Sequence, residues 1–251
     1  MPEEIVCSPA ELDVVGDALG LEVRRFPFTI GYHGSTSAER VRLVGTVHRD
    51  LASRGLVEGS RFAPEFTEAL RLFACAPLTT ALVGTVSGEH IAALAAFEGH
   101  SALLAVQVGG SISLRWYSAQ SAVCGLVGLL PDRPAAPGEP VTVVERAARD
   151  EDEDFSQFRV TRRERFTPTA ESLAAEVLRR PRTGAGYFVV GARDRRGREE
   201  AVGSLSYLDT DVGRYAVVPG TGPVGELSVT YRSWDRRYTE SHLSGIIDTY
   251  G

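Results

Sequence analysis

Histidine and cysteine, the side chains that most often bind transition metals or act as nucleophiles, are scattered along this chain. The five histidines are isolated from one another: His33, His48, His90, His100 and His242. His90 and His100 lie at the two ends of one predicted strand, which separates them by ~33 Å. The chain has three widely separated cysteines without CxxC spacing, Cys7, Cys75 and Cys124. This pattern predicts reduced, partly buried thiols. We therefore expect no metal site and no cofactor.

A histidine beside a serine in the segment 31–35 resembles a nucleophilic site. An enzyme whose site is assembled from scattered residues would use His33, Ser35 and Glu39. The alternative interpretation is a turn that leads into a helix capped by Thr36. A P-loop, a GxSxG elbow and an HExxH motif are all missing from the sequence. We favour the turn and expect no catalytic residue.

Charged runs occupy the second half of the chain. The acidic run at 150–154 has the oxygen ligands that divalent cations prefer, but consecutive carboxylates rarely converge, so we favour a solvated loop. Arginines cluster at 159–165 and 193–198, where phosphate binding is the alternative to an exposed charged surface. All 27 basic residues are arginine, and 33 acidic residues give a net charge of −6. This balance does not favour a nucleic-acid partner.

The overall composition, 43% hydrophobic and 24% charged among 251 residues, is that of an ordinary soluble protein. The first residues lack the cationic and apolar regions of a secretory signal. No run approaches the ~20 apolar residues that span a bilayer. We therefore expect a cytoplasmic protein without a membrane partner.

The first third of the chain predicts three helices. Ser8 with Glu11 and Thr36 with Glu39 are spaced as capping boxes, which predict where two of them begin. The third begins at Pro64 and ends before Pro77. The spacing of the second helix places five side chains on one face: Val41, Val44, Val47, His48 and Leu51.

After Pro77 the pattern changes to four short β runs at 79–86, 90–97, 102–108 and 111–117, which tight turns should join into an antiparallel meander. A helix at 119–130 and a proline-rich linker at 131–140 follow. The second half repeats the order with a helix from Thr167, four strands, and a terminal helix at 238–250. We predict an α+β fold with a central antiparallel β-sheet, helical bundles and a pseudo-two-fold duplication of a helix plus ββββα unit. Its halves, 1–130 and 131–251, should form one compact domain.

Aromatic residues near the solvated face of a sheet are candidates for partner contact. Trp116 shares the parity of Ile112 and Leu114 and should be buried in the core. Tyr117 alternates with it along the strand, and Trp234 lies where the last strand leaves the sheet. Both are candidate partner-facing residues.

An ordered set of segments in the first third resembles the EspG family, chaperones of the ESX (type VII) secretion systems of actinobacteria. The set runs from Leu19-Gly20-Leu21 through Phe26-Pro27-Phe28, His33-Gly34, Ser37-Ala38-Glu39-Arg40 and 51–56 to Pro64 and Leu70-Arg71-Leu72. The strand start Gly213-Arg214-Tyr215 extends the likeness over nearly the whole chain. The resemblance implies a cytosolic chaperone without catalysis that binds helical PE–PPE-type heterodimers and covers their apolar tip until export.

The chain departs from the family at one loop. Family members often have a long, client-contacting loop between the first two strands of the meander, whereas this chain has only Ser87-Gly88-Glu89. We infer either a different ESX-associated client or binding that relies on the sheet and the C-terminal helix. The candidate partner-binding residues are Ser113, Arg115, Tyr117, Ser228, Thr230, Arg232 and Trp234. The remaining alternatives are the enzyme above and a self-associating scaffold; a small-molecule substrate is not expected.

Overall fold

The computed structural model of the chain, which describes residues 4–145, 177, 179–221 and 227–251, has an α+β fold with a large antiparallel sheet. The described residues form five helices: α1 (Pro9–Leu19), α2 (Ser37–Ser53), α3 (Pro64–Cys75), α4 (Ala119–Val127) and α5 (Arg236–Tyr250). The first seven strands are β1 (Ile5–Cys7), β2 (Val57–Glu58), β3 (Arg61–Phe62), β4 (Leu78–Val86), β5 (Glu89–Glu98), β6 (Ser101–Val108) and β7 (Ser111–Ser118). The other five are β8 (Val141–Glu145), β9 (Arg182–Arg193), β10 (Glu199–Thr210), β11 (Gly213–Thr221) and β12 (Leu227–Ser233).

Ten of these strands follow the order β1-β7-β6-β5-β4-β9-β10-β11-β12-β8, and β2 with β3 makes a separate hairpin. The predicted meanders are confirmed as β4–β7 and β9–β12, and each precedes a helix. The helix predicted from Thr167 and the charged runs at 150–154 and 159–165 lie outside the described residues, apart from Val177 and Arg179, which are helical. The order ββββα therefore occurs twice, as the duplication requires.

The chain divides into two compact units. The first comprises residues 1–132, 186–204 and 236–251, and the second comprises residues 133–185 and 205–235. Strands β9 and β10 contribute residues to both units. The predicted division of the chain into duplicated halves, 1–130 and 131–251, stays a prediction.

Both capping boxes form as predicted. The Ser8 hydroxyl accepts a hydrogen bond from the backbone N–H of Glu11, whose carboxylate accepts one from the Ser8 N–H at 2.6 Å. Thr36 and Glu39 make the same reciprocal pair at the start of α2. Local side-chain to backbone bonds thus fix where the first two helices begin.

The stripe predicted on α2 is only half buried. Val47 and Leu51 lie in the core, but Val41 is 71% exposed, Val44 is 43% exposed and His48 is exposed. The fully buried positions of this helix lie in its C-terminal half, while Leu43 in the N-terminal half packs partly against the core. The five residues share one face of the helix, as the spacing predicts, and that face is buried at Val47 and Leu51.

In the first unit the sheet has a helix on each face. Side chains of β5–β7 that point to one face join α1, α2 and α3 in a single apolar core, which includes Leu94, Leu103, Ile112 and Leu114. Helix α4 packs against β5, β6 and β7. A Cβ atom on Gly125 of α4 would lie 3.3 Å from Leu104, a strand neighbour of Leu103 that points to the opposite face.

The second unit has a small core of its own around Ala136, Val177, Leu208 and Tyr215. Strand β12 pairs with β11 on one side and with β8 on the other. The linker contributes Ala136, whose backbone bonds to Arg214 at the start of β11. None of the helices among the described residues has the length and apolar character needed to cross a bilayer.

Candidate partner-binding surface

The predicted partner-binding residues fall into two groups on different strands. Ser113, Arg115 and Tyr117 lie on β7, and Ser228, Thr230 and Arg232 lie on β12 with Trp234 immediately after it. The two strands are each second from an end of the strand order. The β7 group belongs to the first unit and the β12 group to the second.

The β7 group lies opposite β1, a three-residue strand that the sequence analysis missed. The Arg115 guanidinium donates a hydrogen bond to the Glu4 carboxylate at 2.9 Å, and the Ser113 hydroxyl bonds to the same carboxylate. These two hydrogen bonds, led by that from Arg115, lower the pKa of Glu4 below its ordinary value. Ser113 is buried, so within this group the solvent-facing charge is that of Arg115.

Tyr117 is half-buried beneath α4. A Cβ atom on Gly125 would lie 3.4 Å from the Tyr117 ring. The helix therefore covers the face of β7 at its C-terminal end and leaves the other end open.

Apolar side chains lie on that open end of the same sheet face. Cross-strand pairing sets Ser113 opposite Val6 and Val106, and Val108 follows at the next position with the same orientation. Val6 is 43% exposed and Val108 is 65% exposed, while Val106 is half-buried. We name this surface the open face: Arg115, Val6, Val106 and Val108.

The β12 group contributes less accessible surface than predicted. Trp234 is only 3% exposed and Ser228 is buried, so both side chains are covered in the unbound chain. Trp234 is covered in part by the Arg232 guanidinium, which lies 5.6 Å from its ring centre. The Thr230 hydroxyl bonds to that of Thr142 on the neighbouring β8 at 2.8 Å. Trp234, Ser228 and Ser113 are thus buried in this structure, and the assignment of the seven residues to partner binding stays a prediction.

The β4–β5 turn, where the family departure was noted, is as short as the sequence predicts. Ser87 and Gly88 both adopt positive φ, 51° and 87°, and directly connect Val86 to Glu89. Such a turn is rigid and projects little beyond the strands. The turn between β6 and β7 lies at the same end of the sheet, beside the open face.

Helix α5 carries a second candidate surface within the first unit. A shallow groove of about 500 Å³ runs along it, lined by Val202, Tyr238, Ser241, His242, Gly245, Ile246, Thr249 and Tyr250. Tyr238 and Tyr250 are 45% and 53% exposed. Leu243 is fully buried and holds the opposite side of the helix in place.

Close contact with β10 seats this helix. A Cβ atom on Gly203 would lie 2.8 Å from Ile246, so we expect Gly203→Val to displace α5 and lower the free energy of unfolding by about 1–3 kcal/mol. Gly245→Ala is the control, because nothing lies near that position and alanine favours a helix by about 0.5–1 kcal/mol. Chemical denaturation measures both. Equal effects of the two substitutions would contradict the seating of α5 on Gly203.

The residues of the enzyme alternative serve the cap of α2. The Glu39 carboxylate accepts hydrogen bonds from the backbone N–H groups of Ser35 at 2.9 Å and Thr36 at 3.1 Å. The backbone of His33 bonds to Asp13 at 2.9 Å. These contacts support the interpretation of 31–35 as a turn before a capped helix. Within the described ranges, no three His, Cys, Asp or Glu side chains converge as a metal site.

The comparisons with known proteins agree with this geometry. No curated protein sequence matches the chain. The fold is similar to that of the Mycobacterium tuberculosis type VII secretion system chaperone EspG5, solved in complex with the PE25–PPE41 dimer. The two share 11% sequence identity with a TM-score of 0.63 over 99% of this chain and 97% of that chain. The EspG family model matches residues 8–244, so the chain belongs to the EspG family.

Proposed function

We propose that the chain is a cytoplasmic chaperone of a type VII secretion system that binds a helical client of the PE–PPE type and keeps it soluble before export. The observation that carries the proposal is family membership across residues 8–244. The fold shared with EspG5, whose complex contains the PE25–PPE41 dimer, supports it. The proposed activity is binding without chemical turnover.

The open face suits such a client. An exposed apolar helix tip associates with other apolar surfaces unless another protein covers it. The open face offers partly exposed valines for contact and one arginine to orient the partner. With only a two-residue β4–β5 turn beside it, we propose that the client contacts the sheet face directly and the α5 groove.

The experiment that tests the proposal is co-expression. A PE–PPE-type heterodimer from the same host, produced without the chain, should be largely insoluble. Produced with the chain, it should be soluble and co-purify with it. Equal solubility with and without the chain would count against the proposed function.

Charge reversal at Arg115 tests the open face. We expect Arg115→Glu to weaken client binding at least tenfold. Reversing the charge at a contact slows the electrostatically guided association of the two proteins and disturbs their alignment in the complex. Stability should change little, since the arginine is exposed. Binding is measured by titration calorimetry.

Glu4→Gln is the matched control for Arg115→Glu. It weakens the same Glu4–Arg115 ion pair but leaves the arginine free to contact a partner. Client affinity should be unchanged or higher in this variant. If Arg115→Glu binds the client as tightly as the unmodified chain, the open face is not the client surface.

A further inference from the structure

A cavity of about 410 Å³ lies beside the C-terminal turn of α3, within the first unit. The residues that line it include Arg25, Phe26, Ala74, Arg193 and Glu199. We name this cavity the arginine pocket. Its volume falls in the range of about 300–1,000 Å³ that ligand-binding clefts occupy.

The backbone fixes the two arginines of the pocket. Arg25 lies in a tight turn, where its N–H donates to the carbonyl of Val23 and its own carbonyl accepts from Phe28, both at 2.8 Å. Arg193 ends β9, and its N–H donates to the carbonyl of Pro77 at 2.7 Å. Their side chains are 9% and 25% exposed. The two guanidinium groups are therefore in place before a ligand arrives.

The two guanidinium groups share the same acceptors. Both donate to the carbonyl oxygen of Ala74, Arg25 at 3.2 Å and Arg193 at 3.1 Å. Both also lie beside the carboxylate of Glu199, at 2.9 and 3.7 Å. That carboxylate accepts a further hydrogen bond from the hydroxyl of Thr79 at 3.0 Å. Two positive charges thus meet a single carboxylate.

The other charges at the pocket do not remove this excess. Glu22 and Arg24, which also line it, form their own ion pair at 3.4 Å. The C-terminal carbonyl groups of α3 contribute only about half a negative charge. Burial first, and then the nearby charge of Arg193, lower the pKa of Arg25 below its ordinary value, because Glu199 offsets them only in part.

An unsatisfied donor is a second and independent indication of an anion. The Nε atom of Arg193 is buried and has no hydrogen-bond acceptor in the part of the chain that the structure describes. Buried polar atoms nearly always have a partner, and an unpaired donor on a charged group is costly. An oxyanion bound across the two guanidinium groups would supply the missing acceptor.

The size of the excess charge indicates which oxyanion fits. Glu199 neutralises one of the two arginines, so one further negative charge completes the balance. A carboxylate carries one charge, whereas a phosphate monoester carries about 1.5 to 2 at neutral pH. The planar guanidinium group also matches the two oxygens of a carboxylate.

The rim of the pocket indicates what carries the carboxylate. Phe26 is 53% exposed and offers an aromatic surface beside the two arginines. The last residue of a polypeptide has its carboxylate and its side chain on the same Cα atom, so it can contact the arginines and the ring together. We propose that the arginine pocket binds the C-terminal carboxylate of a partner polypeptide whose last residue is apolar. The proposal does not rest on the chaperone function, since no residue of the open face lines the pocket.

Nuclear magnetic resonance of the full chain tests this proposal. The probe is an N-acetylated tetrapeptide of three alanines and a final leucine with a free carboxylate. Its titration should shift the backbone N–H signals of Phe26 and Arg193 in a saturable way. The same peptide with an amidated C-terminus should bind at least about fivefold more weakly. An amidated peptide with glutamate as its last residue, which carries its carboxylate on the side chain, should also bind more weakly than the probe.

Two variants test the residues of the pocket. Arg193→Gln should weaken binding of the probe about fivefold. Its matched control is Arg195→Gln, which removes the same charge from an exposed position on the adjacent turn and should change binding less than about twofold. Phe26→Ala should weaken binding about threefold, and it tests the site even if Arg193→Gln does not fold, because the ring is exposed.

Four outcomes overturn the proposal: unmoved signals, equal binding of the amidated peptide, equal binding of the side-chain carboxylate, or no effect of both Arg193→Gln and Phe26→Ala. The solubility of a co-expressed PE–PPE-type heterodimer is measured separately on Phe26→Ala and should be unchanged. The failure of the arginine pocket and the failure of the chaperone function therefore give different results.

Discussion

Replacing Asp209 with alanine is expected to lower the free energy of unfolding by about 3–5 kcal/mol, the largest effect of any single substitution considered. Asp209 and Arg214 are 1% and 2% exposed and face each other across the β10–β11 hairpin. The guanidinium donates two parallel hydrogen bonds to the carboxylate, at 2.7 and 2.9 Å. Without Asp209, a buried positive charge loses its counter-charge.

The backbone of Arg214 explains why the pair matters to the whole second unit. Its N–H donates to the carbonyl of Pro134 at 2.9 Å, and its carbonyl accepts bonds from Ala136 and Trp234. Rotation or exposure of Arg214 would disturb the linker and the end of β12 together. Fluorescence of the buried Trp234 during denaturation is therefore a local reporter of the substitution.

Asp211→Ala is the matched control for Asp209→Ala. It removes a carboxylate from the same hairpin, but one that is 47% exposed and lies 3.5 Å from Arg180. Exposed ion pairs contribute about 0–1 kcal/mol. A loss of similar size from the two substitutions would contradict the assignment of the stability to the buried pair.

The second large effect is expected at Asp13, in the middle of α1. Its side chain is fully buried and accepts hydrogen bonds from Arg24 at 2.6 Å, from Arg40 at 2.5 Å and from the His33 backbone at 2.9 Å. We expect Asp13→Asn to cost about 3 kcal/mol. Arg24 is 37% exposed, which places the effect at the lower end of the range for buried pairs. Chemical denaturation at pH 7 measures it.

The same carboxylate should make stability depend on pH. Burial acts to raise the pKa of Asp13, but the His33 N–H and the two arginines more than offset it, so the pKa is below its ordinary value. Its contribution is therefore complete above about pH 4, the ordinary pKa of an aspartate, and is lost as the pH falls through the lower folded-state value. Asp13→Asn should remove part of the acid destabilisation.

Asp17→Asn is the control for Asp13→Asn. Asp17 lies one turn later on α1 and also contacts Arg40, but it is 50% exposed. Its replacement should cost less than about 1 kcal/mol at pH 7. If Asp13→Asn loses stability at acidic pH as steeply as the unmodified chain, the claim that folding lowers the pKa of Asp13 is contradicted.

Features that depend on neighbours in the sequence were predictable. The two capping boxes and the tight hairpin turns involve residues within about four positions of each other, so the sequence alone identifies them. Short β-rich runs between turn residues identified all eight strands of the two meanders. These elements are enough to predict that α4 follows the first meander and α5 follows the second.

Features that depend on distant neighbours were not predictable. The apolar stripe of α2 shows which side is apolar, but not that the core stops short of Val41 and Val44. Strand β1 has three residues, too few for alternation to be visible. Its presence buries Ser113, which the pattern of β7 alone assigns to solvent.

Buried charged residues are the strongest example of a feature that the sequence alone does not predict. An arginine that begins a strand, such as Arg214, is ordinarily read as exposed. Pairing with Asp209 across the hairpin supports its burial. The start of β11 also needs Gly213, because a Cβ atom there would lie 2.6 Å from the Pro134 carbonyl oxygen. The Gly213-Arg214-Tyr215 segment belongs to the family resemblance, and these contacts are the physical reason for its first two residues.

Light scattering of a reconstituted mixture tests the central claim most directly. The chain alone, at 27.1 kDa, is combined with a purified PE–PPE-type heterodimer from the same host and separated by size. The account predicts one new species with the summed mass of one chain and one heterodimer. Separate elution of the chain and every heterodimer offered, with the chain at its own mass or as a multiple of it, would contradict the claim.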